Sequence, residues 1–362
     1  EASQVQGPVL VHVLTKKGYG YRPAERHPSR FHGTAPFDIE TGIPLSHGKA
    51  TYTDVFSTVM RKMGDRDDKL VAITAAMADG CGLKRFHNMF PDRFFDVGIA
   101  EEHAVTFAAA LAAGGLHPVF AVYSSFLQRG YDQMLHDVCM QNLPVVFAID
   151  RAGLVGSDGE THQGIFDLTF LSSVPNMSVM APKNRWELEK MLQFAISYDG
   201  PIAIRYPRGE AYRGLKEFLA PVEYGVSEML YEERGTALLA VGSMVSTAEH
   251  IREKLKSAGQ PCTLVNGRFV KPMDTDVIDH LAGTHHTIVT LEENVLRGGY
   301  GERVTDYVQK HYPQIKVVNI ALPDAYVEHG NVSVLRNELG IDSDSILAQL
   351  KREGVLETDA EA

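Results

Sequence analysis

The sequence predicts an α/β protein of two three-layer domains, each built on a mostly parallel sheet. Short apolar segments of strand type alternate with segments of helical period, which is typical of parallel sheets covered by helices. At about 150 residues per domain, a chain of 362 residues has room for two or three domains. The alternation weakens over residues 210–232, so we predict one domain over residues 51–215 and another over residues 230–355.

The composition excludes several classes of protein. The formal net charge of −11, from 35 Lys and Arg against 46 Asp and Glu, argues against binding to nucleic acid or to an anionic membrane. No apolar run approaches the roughly 18 residues of a membrane span. Three widely separated cysteines, Cys81, Cys139 and Cys262, form neither a disulfide framework nor a zinc motif and indicate a reducing, intracellular setting.

Residues 1–50 are predicted to hold the last strand of another domain, followed by an interdomain linker. The run PVLVHVL at residues 8–14 is nearly continuous and apolar, as is typical of a strand buried in a parallel sheet. Little sequence precedes this run to supply the sheet, so we expect it to belong to an N-terminal domain missing from the chain; an expression boundary is the alternative. Residues 15–50 have the Gly, Pro and charge content of a long linker.

Local signals predict the individual helices and strands. Thr53 is expected to cap a helix that ends at Gly64, and Asn184 with Glu187 forms a capping-box pattern for a helix that ends near residue 197. Further helices are predicted at 101–113, 125–141 and 245–258. Strands are predicted at 70–74, 94–99, 118–123, 144–149, 201–206, 237–241, 262–265, 287–291 and 316–320.

Four polar segments follow predicted strands of the first domain. They are residues 96–103, 123–132, 150–164 and 205–209. Each has an ordinary explanation when taken singly, because glutamates favour a first helical turn and an arginine is usually a surface charge. The glycines of 150–164 match no complete dinucleotide or phosphate-loop fingerprint. Since open α/β sheets bind ligands at the carboxyl ends of their strands, we expect the four segments to form one pocket.

Several longer motifs resemble the transketolase-like thiamine diphosphate enzymes. The segment RFFDVGIAEEHAVTFAA at 93–109 resembles their pyrimidine-binding domain. Other motifs resemble, within that family, the enzymes that form 1-deoxy-D-xylulose 5-phosphate: KKGYGY at 16–21, YSSFLQRGYDQ at 123–133, AIDRAG at 148–153, DGETHQG at 158–164, RYPRG at 205–209 and VTLEEN at 289–294. The resemblance spans nearly the whole chain. It implies a transketolase-like pyrimidine-binding domain followed by a transketolase C-terminal domain.

The resemblance also implies roles for residues on the cofactor side of the pocket. Glu101 matches the glutamate that hydrogen-bonds the pyrimidine ring of thiamine diphosphate and takes part in its proton exchange. Phe126 matches the aromatic side chain that stacks on that ring, and Ile99 lies where further ring contacts fall. His32, in the linker, matches a histidine that reaches the thiazolium side of the cofactor.

On the substrate side, the implied reaction decarboxylates pyruvate and joins the remaining two carbons to D-glyceraldehyde 3-phosphate. Arg151 and Arg208 match the family's contacts to the phosphate of the acceptor. From the residues alone, Arg205 and Arg208 could clamp a phosphate or could equally be solvated. Tyr123 and Arg129 are expected close by. The polar side chains expected around the reacting carbonyl and the acceptor hydroxyl are those of Asp158 and His162. A histidine there could transfer protons near neutral pH.

One family motif is absent from the sequence. Related enzymes bind the diphosphate and Mg²⁺ through an N-terminal domain with a Gly-Asp-Gly motif followed by Asn, and no such motif occurs here in that context. We therefore predict no metal ligand in this chain, and expect activity to need the missing N-terminal domain as a separate fragment or chain. The resemblance further implies a homodimer in the bacterial cytoplasm, with the plastid stroma as an alternative.

Two other functions are compatible with the sequence. The β subunit of a 2-oxoacid dehydrogenase decarboxylase has the same two domains but would not need arginines for a sugar phosphate. A non-catalytic scaffold could keep the fold, although it would not need to keep Glu101, Phe126, His162 and Arg208 together. Glu292, Glu293 and the turn at 298–301 are expected to be structural or dimer-forming rather than catalytic.

Overall fold

The structure is a computed structural model that describes residues 1–32, 34, 36–45, 48–156 and 158–356. The chain forms two compact units, residues 1–49 and residues 50–362. The smaller unit contains 3₁₀ turns at Ala2–Gln4 and Pro28–Phe31 and the short helix α1 at Arg22–Arg26. Its aromatic side chains Tyr21, Phe31 and Phe37 pack edge to face or at a tilt, with ring centroids between 5.1 and 5.9 Å apart.

The strand predicted at residues 8–14 is not formed. No described strand pairs with this segment, so its backbone lacks the ladder of hydrogen bonds that defines a strand. Its apolar side chains are exposed, Leu10 to 93 % and Leu14 to 84 %. The assignment of the segment to another domain stays a prediction.

The larger unit contains all of the described strands. They are β1 Leu70–Thr74, β2 Phe94–Asp96, β3 His117–Tyr123, β4 Val146–Asp150, β5 Ser178–Met180, β6 Ile202–Arg205, β7 Glu228–Tyr231, β8 Gly235–Ala240, β9 Thr263–Asn266, β10 Phe269–Lys271, β11 His285–Val295 and β12 Lys316–Leu322. The α-helices are α2 Tyr52–Gly64, α3 Lys84–Met89, α4 Glu101–Ala113, α5 Ser124–Leu127, α6 Tyr131–Gln133, α7 Asp167–Ser173, α8 Arg185–Ile196, α9 Met244–Ser257, α10 Thr275–Thr284, α11 Tyr300–His311, α12 Val332–Glu338 and α13 Ser343–Arg352. No helix of the described segments is long and apolar enough to cross a membrane.

The strands form two sheets. The first has seven strands in the order β10-β5-β6-β4-β3-β1-β2, and its pairs are parallel except for β10 against β5. The second has five strands in the order β12-β11-β8-β9-β7, and only β7 is antiparallel to its neighbour. The predicted fold class, α/β with mostly parallel sheets, is confirmed.

Both faces of the first sheet are covered by hydrophobic cores. Ile73, Phe120 and Phe147 belong to one buried cluster, whereas the residues before them in the chain belong to another. Because successive side chains of a strand point to opposite faces, this division defines three layers. The first cluster also contains residues of the second sheet, such as Leu239 and Ile288, so the two sheets share a continuous core.

Three local predictions differ from the structure. The cap of α2 is Thr51, whose hydroxyl accepts from Asp54 N, because the capping box forms two residues before Thr53. The helix predicted at 125–141 is broken into short α, 3₁₀ and π segments. The strand predicted at 94–99 ends at Asp96 and lies at the edge of the sheet, with Ile99 exposed to 84 %.

Candidate active site

The carboxyl ends of the central parallel strands bring the predicted polar segments to one edge of the first sheet. Strands β2, β1, β3, β4 and β6 run in the same direction, so their last residues lie along this edge. The segments that begin at Asp96, Tyr123, Asp150 and Arg205 therefore lie on the same side of the sheet, as expected from the sequence.

Glu101 is the first residue of α4 and is buried, with 4 % of its surface exposed. Its Oε2 atom has no hydrogen-bond partner among the described residues. A buried carboxyl oxygen without a partner costs free energy unless a bound group supplies the missing hydrogen bond. The unpartnered oxygen of Glu101 thus fits the role of a carboxyl that meets the ring nitrogen of a bound cofactor.

The aromatic side chains predicted for the site lie in mutual contact. The rings of Tyr123 and Phe126 are stacked, with centroids 5.5 Å apart and an angle of 23° between their planes. His162 meets the ring of Phe126 edge-on at 5.3 Å. Thr161 lies with its hydroxyl 2.9 Å from His162 Nδ1. The structure therefore brings Tyr123, Phe126 and His162 together from two separate strand ends.

The guanidinium of Arg151 is held from several sides. Its NH1 lies 2.9 Å from a carboxylate oxygen of Asp150 and donates to the carbonyl of Gly80 at 2.8 Å and the hydroxyl of Thr53 at 3.3 Å. Its centre lies 4.1 Å from the centroid of the Tyr123 ring, a cation–π contact. Burial raises the pKa of Tyr123 from its ordinary value of 10 to about 12, so its hydroxyl stays protonated well into the alkaline range.

Arg151 and Arg208 line one cavity of about 290 Å³ beside the N-terminus of α2. Its other walls come from the α2 segment, the turn after β1 and the end of the RYPRG motif, namely Thr51, Thr53, Asp54, Ser57, Asp79, Gly80, Gly82 and Gly209. Arg208 NH1 lies 2.8 Å from Asp158 Oδ2, and both side chains are more than a third exposed. A cavity with two arginines and a helix N-terminus has the chemistry of a phosphate site.

Three further residues from the sequence analysis have the following surroundings in the structure. Arg205 is buried and paired with Asp167 at 3.0 Å, so of the two arginines in RYPRG only Arg208 faces the cavity. Arg129 is exposed on the turn that follows α5. His32 lies in the smaller unit, where its Nδ1 is 2.6 Å from Lys17 Nζ. The roles predicted for Arg129 and His32 stay predictions.

The sequence analysis did not find the residues that hold the site in place. Thr53 donates to Asp150 Oδ2 at 2.7 Å, and the buried Asp150 also accepts the backbone N–H of Arg151. The sequence predicted Thr53 only as a helix cap. Thr53 lies 97 residues before Asp150, and Gln163 donates to the carbonyl of Glu328, 165 residues away, so no local pattern could have revealed these two contacts.

Glu292 and Glu293 lie at the end of β11 and are buried. Glu292 accepts the N–H groups of Tyr300 and Gly301 at the start of α11, and burial raises its pKa to about 7. Glu293 pairs with Arg336 and accepts from Ser243. Within the described segments, no group of three or more His, Cys, Asp or Glu side chains is arranged to hold a metal ion.

Comparisons with known proteins agree with this geometry. Residues 48–213 match the family model for the transketolase pyrimidine-binding domain, and residues 225–346 match the model for the transketolase C-terminal domain. A protein of Lachnoclostridium phytofermentans named 1-deoxy-D-xylulose-5-phosphate synthase is 54% identical over 354 residues, which is 97% of this chain and 57% of the relative. The enzyme of the same name from Aquifex aeolicus is 50% identical over 94% of this chain and 55% of its own length.

Solved structures show the same fold. One, described as a split-gene transketolase in an inactive β4 tetramer, superposes with a TM-score of 0.76 and 25% identity. The match covers 84% of this chain and 98% of that chain. The transketolase of Campylobacter jejuni has a TM-score of 0.71 at 18% identity, covering 83% of this chain and 46% of its own. At that identity the second match shows the fold alone.

Fold, site and comparisons together define a transketolase-like α/β protein, and the chain belongs to that family. Within the family it is homologous to the 1-deoxy-D-xylulose-5-phosphate synthases, which confirms the resemblance found in its motifs. The chain spans slightly more than half the length of these curated relatives.

Proposed function

We propose that the chain supplies the pyrimidine-binding and acceptor-binding half of a 1-deoxy-D-xylulose-5-phosphate synthase. The reaction would decarboxylate pyruvate and join the product to D-glyceraldehyde 3-phosphate. The observation that carries the proposal is the buried, unpartnered carboxyl oxygen of Glu101 at the same sheet edge as the cavity of Arg151 and Arg208. One group suits a cofactor ring and the other suits a phosphorylated acceptor.

On the cofactor side, Glu101 would hold and exchange a proton with the pyrimidine ring of thiamine diphosphate. Burial keeps water away from its carboxyl group, so the ring nitrogen would be its principal partner. Phe126 would lie against the pyrimidine ring. The ring would also cover the side chain of Ile99, which is exposed in this structure. When bound, thiamine diphosphate supplies the electron sink that loss of carbon dioxide from a 2-oxo acid requires.

On the acceptor side, Arg151 and Arg208 would bind the phosphate of D-glyceraldehyde 3-phosphate. Arg151 is already oriented by Asp150, Thr53 and the ring of Tyr123, so little of its side-chain freedom remains to be lost on binding. Arg208 pairs with Asp158, and an incoming phosphate would compete for the same guanidinium. Phosphate binding would thereby release Asp158 toward the acceptor.

His162 would transfer protons at the reacting carbonyl and the acceptor hydroxyl. Its ring meets Phe126 edge-on, which places it beside the side chain proposed to carry the cofactor ring. Tyr123 would support Phe126 through the stacked contact and Arg151 through the cation–π contact. Arg129 and His32 are proposed to reach the acceptor and the thiazolium side, respectively.

We propose that the diphosphate and Mg²⁺ are held by residues outside this chain, on an N-terminal domain. The matches span only 57% and 55% of the lengths of two curated relatives. The solved neighbour that this chain covers almost completely is described as a split-gene product whose β4 tetramer is inactive. By analogy, this chain would pair with a second polypeptide or segment, within a homodimeric assembly in the bacterial cytoplasm.

The phosphate chemistry of the cavity favours this function over that of a dehydrogenase β subunit. Two arginines at one cavity are useful to an enzyme that binds a sugar phosphate, whereas transfer to a lipoyl group needs no phosphate contact. A scaffold would gain nothing from the unsatisfied oxygen of Glu101, because its burial is unfavourable without a ligand.

The test combines the chain with the N-terminal half of a homologous synthase, thiamine diphosphate and Mg²⁺, and measures product formation. Glu101→Gln is expected to lower kcat by about 10² to 10⁴-fold, the usual range for loss of a proton-transferring group. The matched control is Glu102→Gln, because Glu102 lies in the same helical turn but is exposed. Wild-type rates for Glu101→Gln would overturn the role of Glu101. Absence of product from the wild-type combination would favour a scaffold, and transfer to lipoamide alone would favour the dehydrogenase.

A further inference from the structure

The loop that carries Asp158 and His162 is closed at its base by the backbone. Gly153 and Gly164 exchange two hydrogen bonds, of 2.7 and 2.8 Å, and form an isolated antiparallel bridge. Between them the chain has two further glycines, Gly156 and Gly159, both with positive φ. A glycine-rich loop has many accessible backbone conformations, so additional contacts must select the one that directs the two polar side chains.

Those contacts come from the region matched by the C-terminal family model. Gly330 N donates to Gly156 O at 3.3 Å. The backbones approach so closely that a Cβ atom on Gly156 would lie 2.6 Å from Gly330 O. The segment 326–332, which precedes and begins α12, therefore lies against the middle of the site loop. A part of the chain with no predicted chemistry thus touches the loop that carries two predicted site residues.

Gln163 connects the two parts of the chain through its side-chain amide. Only 3 % of its surface is exposed. Its Oε1 accepts from Val155 N at 2.8 Å, which joins the two arms of the loop. Its Nε2 donates to Glu328 O at 3.0 Å, which joins the loop to the segment 326–332. The amide needs both functions, since one bond uses its acceptor and the other its donor.

We infer that Gln163 is a positioning residue through which the C-terminal region fixes the loop of Asp158 and His162. The inference rests on the proposed function, because it assigns the reason for holding the loop to the acceptor side of that site. Gln163 is not among the residues proposed to contact either substrate. It acts through its neighbour His162 and through the loop conformation that presents Asp158 to Arg208.

The first test uses the chain alone and needs no activity. In Gln163→Glu the carboxylate still accepts from Val155 N but cannot donate to the carbonyl of Glu328. Amide hydrogen exchange is expected to speed up at least about 10-fold over residues 154–163 and also over residues 327–331, while β8 and β11 stay protected. Gln193→Glu is the control, because Gln193 is exposed on α8. Unchanged exchange in residues 327–331 would overturn the inference.

A second variant guards against a folding defect. Gln163→Leu removes both hydrogen bonds and places an apolar side chain of similar size in the buried position. It is expected to loosen the same two segments without altering exchange in the core strands. If either variant loses protection throughout the sheet, Gln163 is a general determinant of stability and the positioning role is wrong.

The second test uses the complete enzyme and separates its substrates. Gln163→Glu is expected to lower kcat/KM for D-glyceraldehyde 3-phosphate on the order of 100-fold, the effect of a misplaced catalytic group. The KM for pyruvate and the affinity for thiamine diphosphate should change less than about threefold. An equal loss for both substrates would overturn the positioning role. If the wild-type enzyme forms no sugar phosphate, the proposed function fails, whereas the exchange result still decides whether Gln163 docks the loop.

Discussion

The carboxylate of Asp150 contacts both the backbone and the side chain of Arg151. One carboxylate oxygen accepts the N–H of Arg151 at 2.8 Å, and the other lies 2.9 Å from its guanidinium. The backbone of Arg151 has φ of +62°, a conformation that non-glycine residues rarely adopt. One oxygen of Asp150 therefore stabilises the strained backbone of Arg151, and the other orients its guanidinium.

Replacing Asp150 by Asn should destabilise the protein by about 3 to 5 kcal/mol, the cost of leaving one member of a buried ion pair without its partner. Denaturant unfolding measures the change. Asp158→Asn is the matched control for stability, because the Asp158–Arg208 pair is more than a third exposed and should change unfolding by less than about 1 kcal/mol. Equal effects of the two variants would show that Asp150 does not hold Arg151 in solution.

Thr53 contributes a hydroxyl that donates to the carboxylate of Asp150. Thr53→Val keeps the shape of the side chain and removes that bond, so a loss of about 1.5 to 3 kcal/mol is expected for a hydrogen bond to a charged group. Thr58→Val provides the comparison, because Thr58 lies on the same helix and donates only to the carbonyl of Asp54. Its unfolding free energy should change by less than about 0.5 kcal/mol. A Thr53 variant as stable as the Thr58 variant contradicts the role.

Glu292 should make stability depend on pH. Burial raises its pKa from 4.5 to about 7, so the unfolded chain releases this proton at lower pH than the folded chain. Its contribution is greatest below about pH 4.5 and is lost as the pH rises to about 7, by up to about 3 kcal/mol. Unfolding of the wild type and of Glu292→Gln at pH 5 and pH 8 measures the difference. The prediction fails if both proteins show the same change between the two pH values.

A side chain at position 153, which is Gly153 in this chain, should lower the free energy of unfolding. This glycine has φ of +75°, and a Cβ atom there would lie 2.4 Å from Glu293 Oε2. Glu293 cannot easily move away, because Ser243 and Arg336 hold its carboxylate. Gly153→Ala should therefore cost about 1 to 3 kcal/mol more than Gly115→Ala, in which φ is +82° but no atom lies within 4 Å of the added carbon. Thermal unfolding of both variants isolates the contact, and equal melting temperatures would rule it out.

Local patterns predicted much of the fold, whereas partners distant in sequence had to be seen in three dimensions. Strand and helix signals lie within a few residues, and the cap formed by Asn184 on Glu187 N was predicted correctly for that reason. Arg205, in contrast, shares the RYPRG motif with Arg208, and its sequence neighbours do not show that Asp167 pairs with it. The bond that Gln163 Nε2 donates to Glu328 O likewise joins residues that are 165 positions apart in the sequence.

The antiparallel strand β10 has a consequence for any attempt to separate the two regions. By sequence it lies within the C-terminal family match, yet it hydrogen-bonds to β5 at the end of the first sheet. A fragment cut near residue 215 would lose β10 and leave β5 as an open edge, and such edges pair with other chains. Exchange of the whole C-terminal region between two enzymes of this family would therefore also replace β10, which is a strand of the first sheet. The boundary between the two family matches thus does not coincide with the boundary between the two sheets.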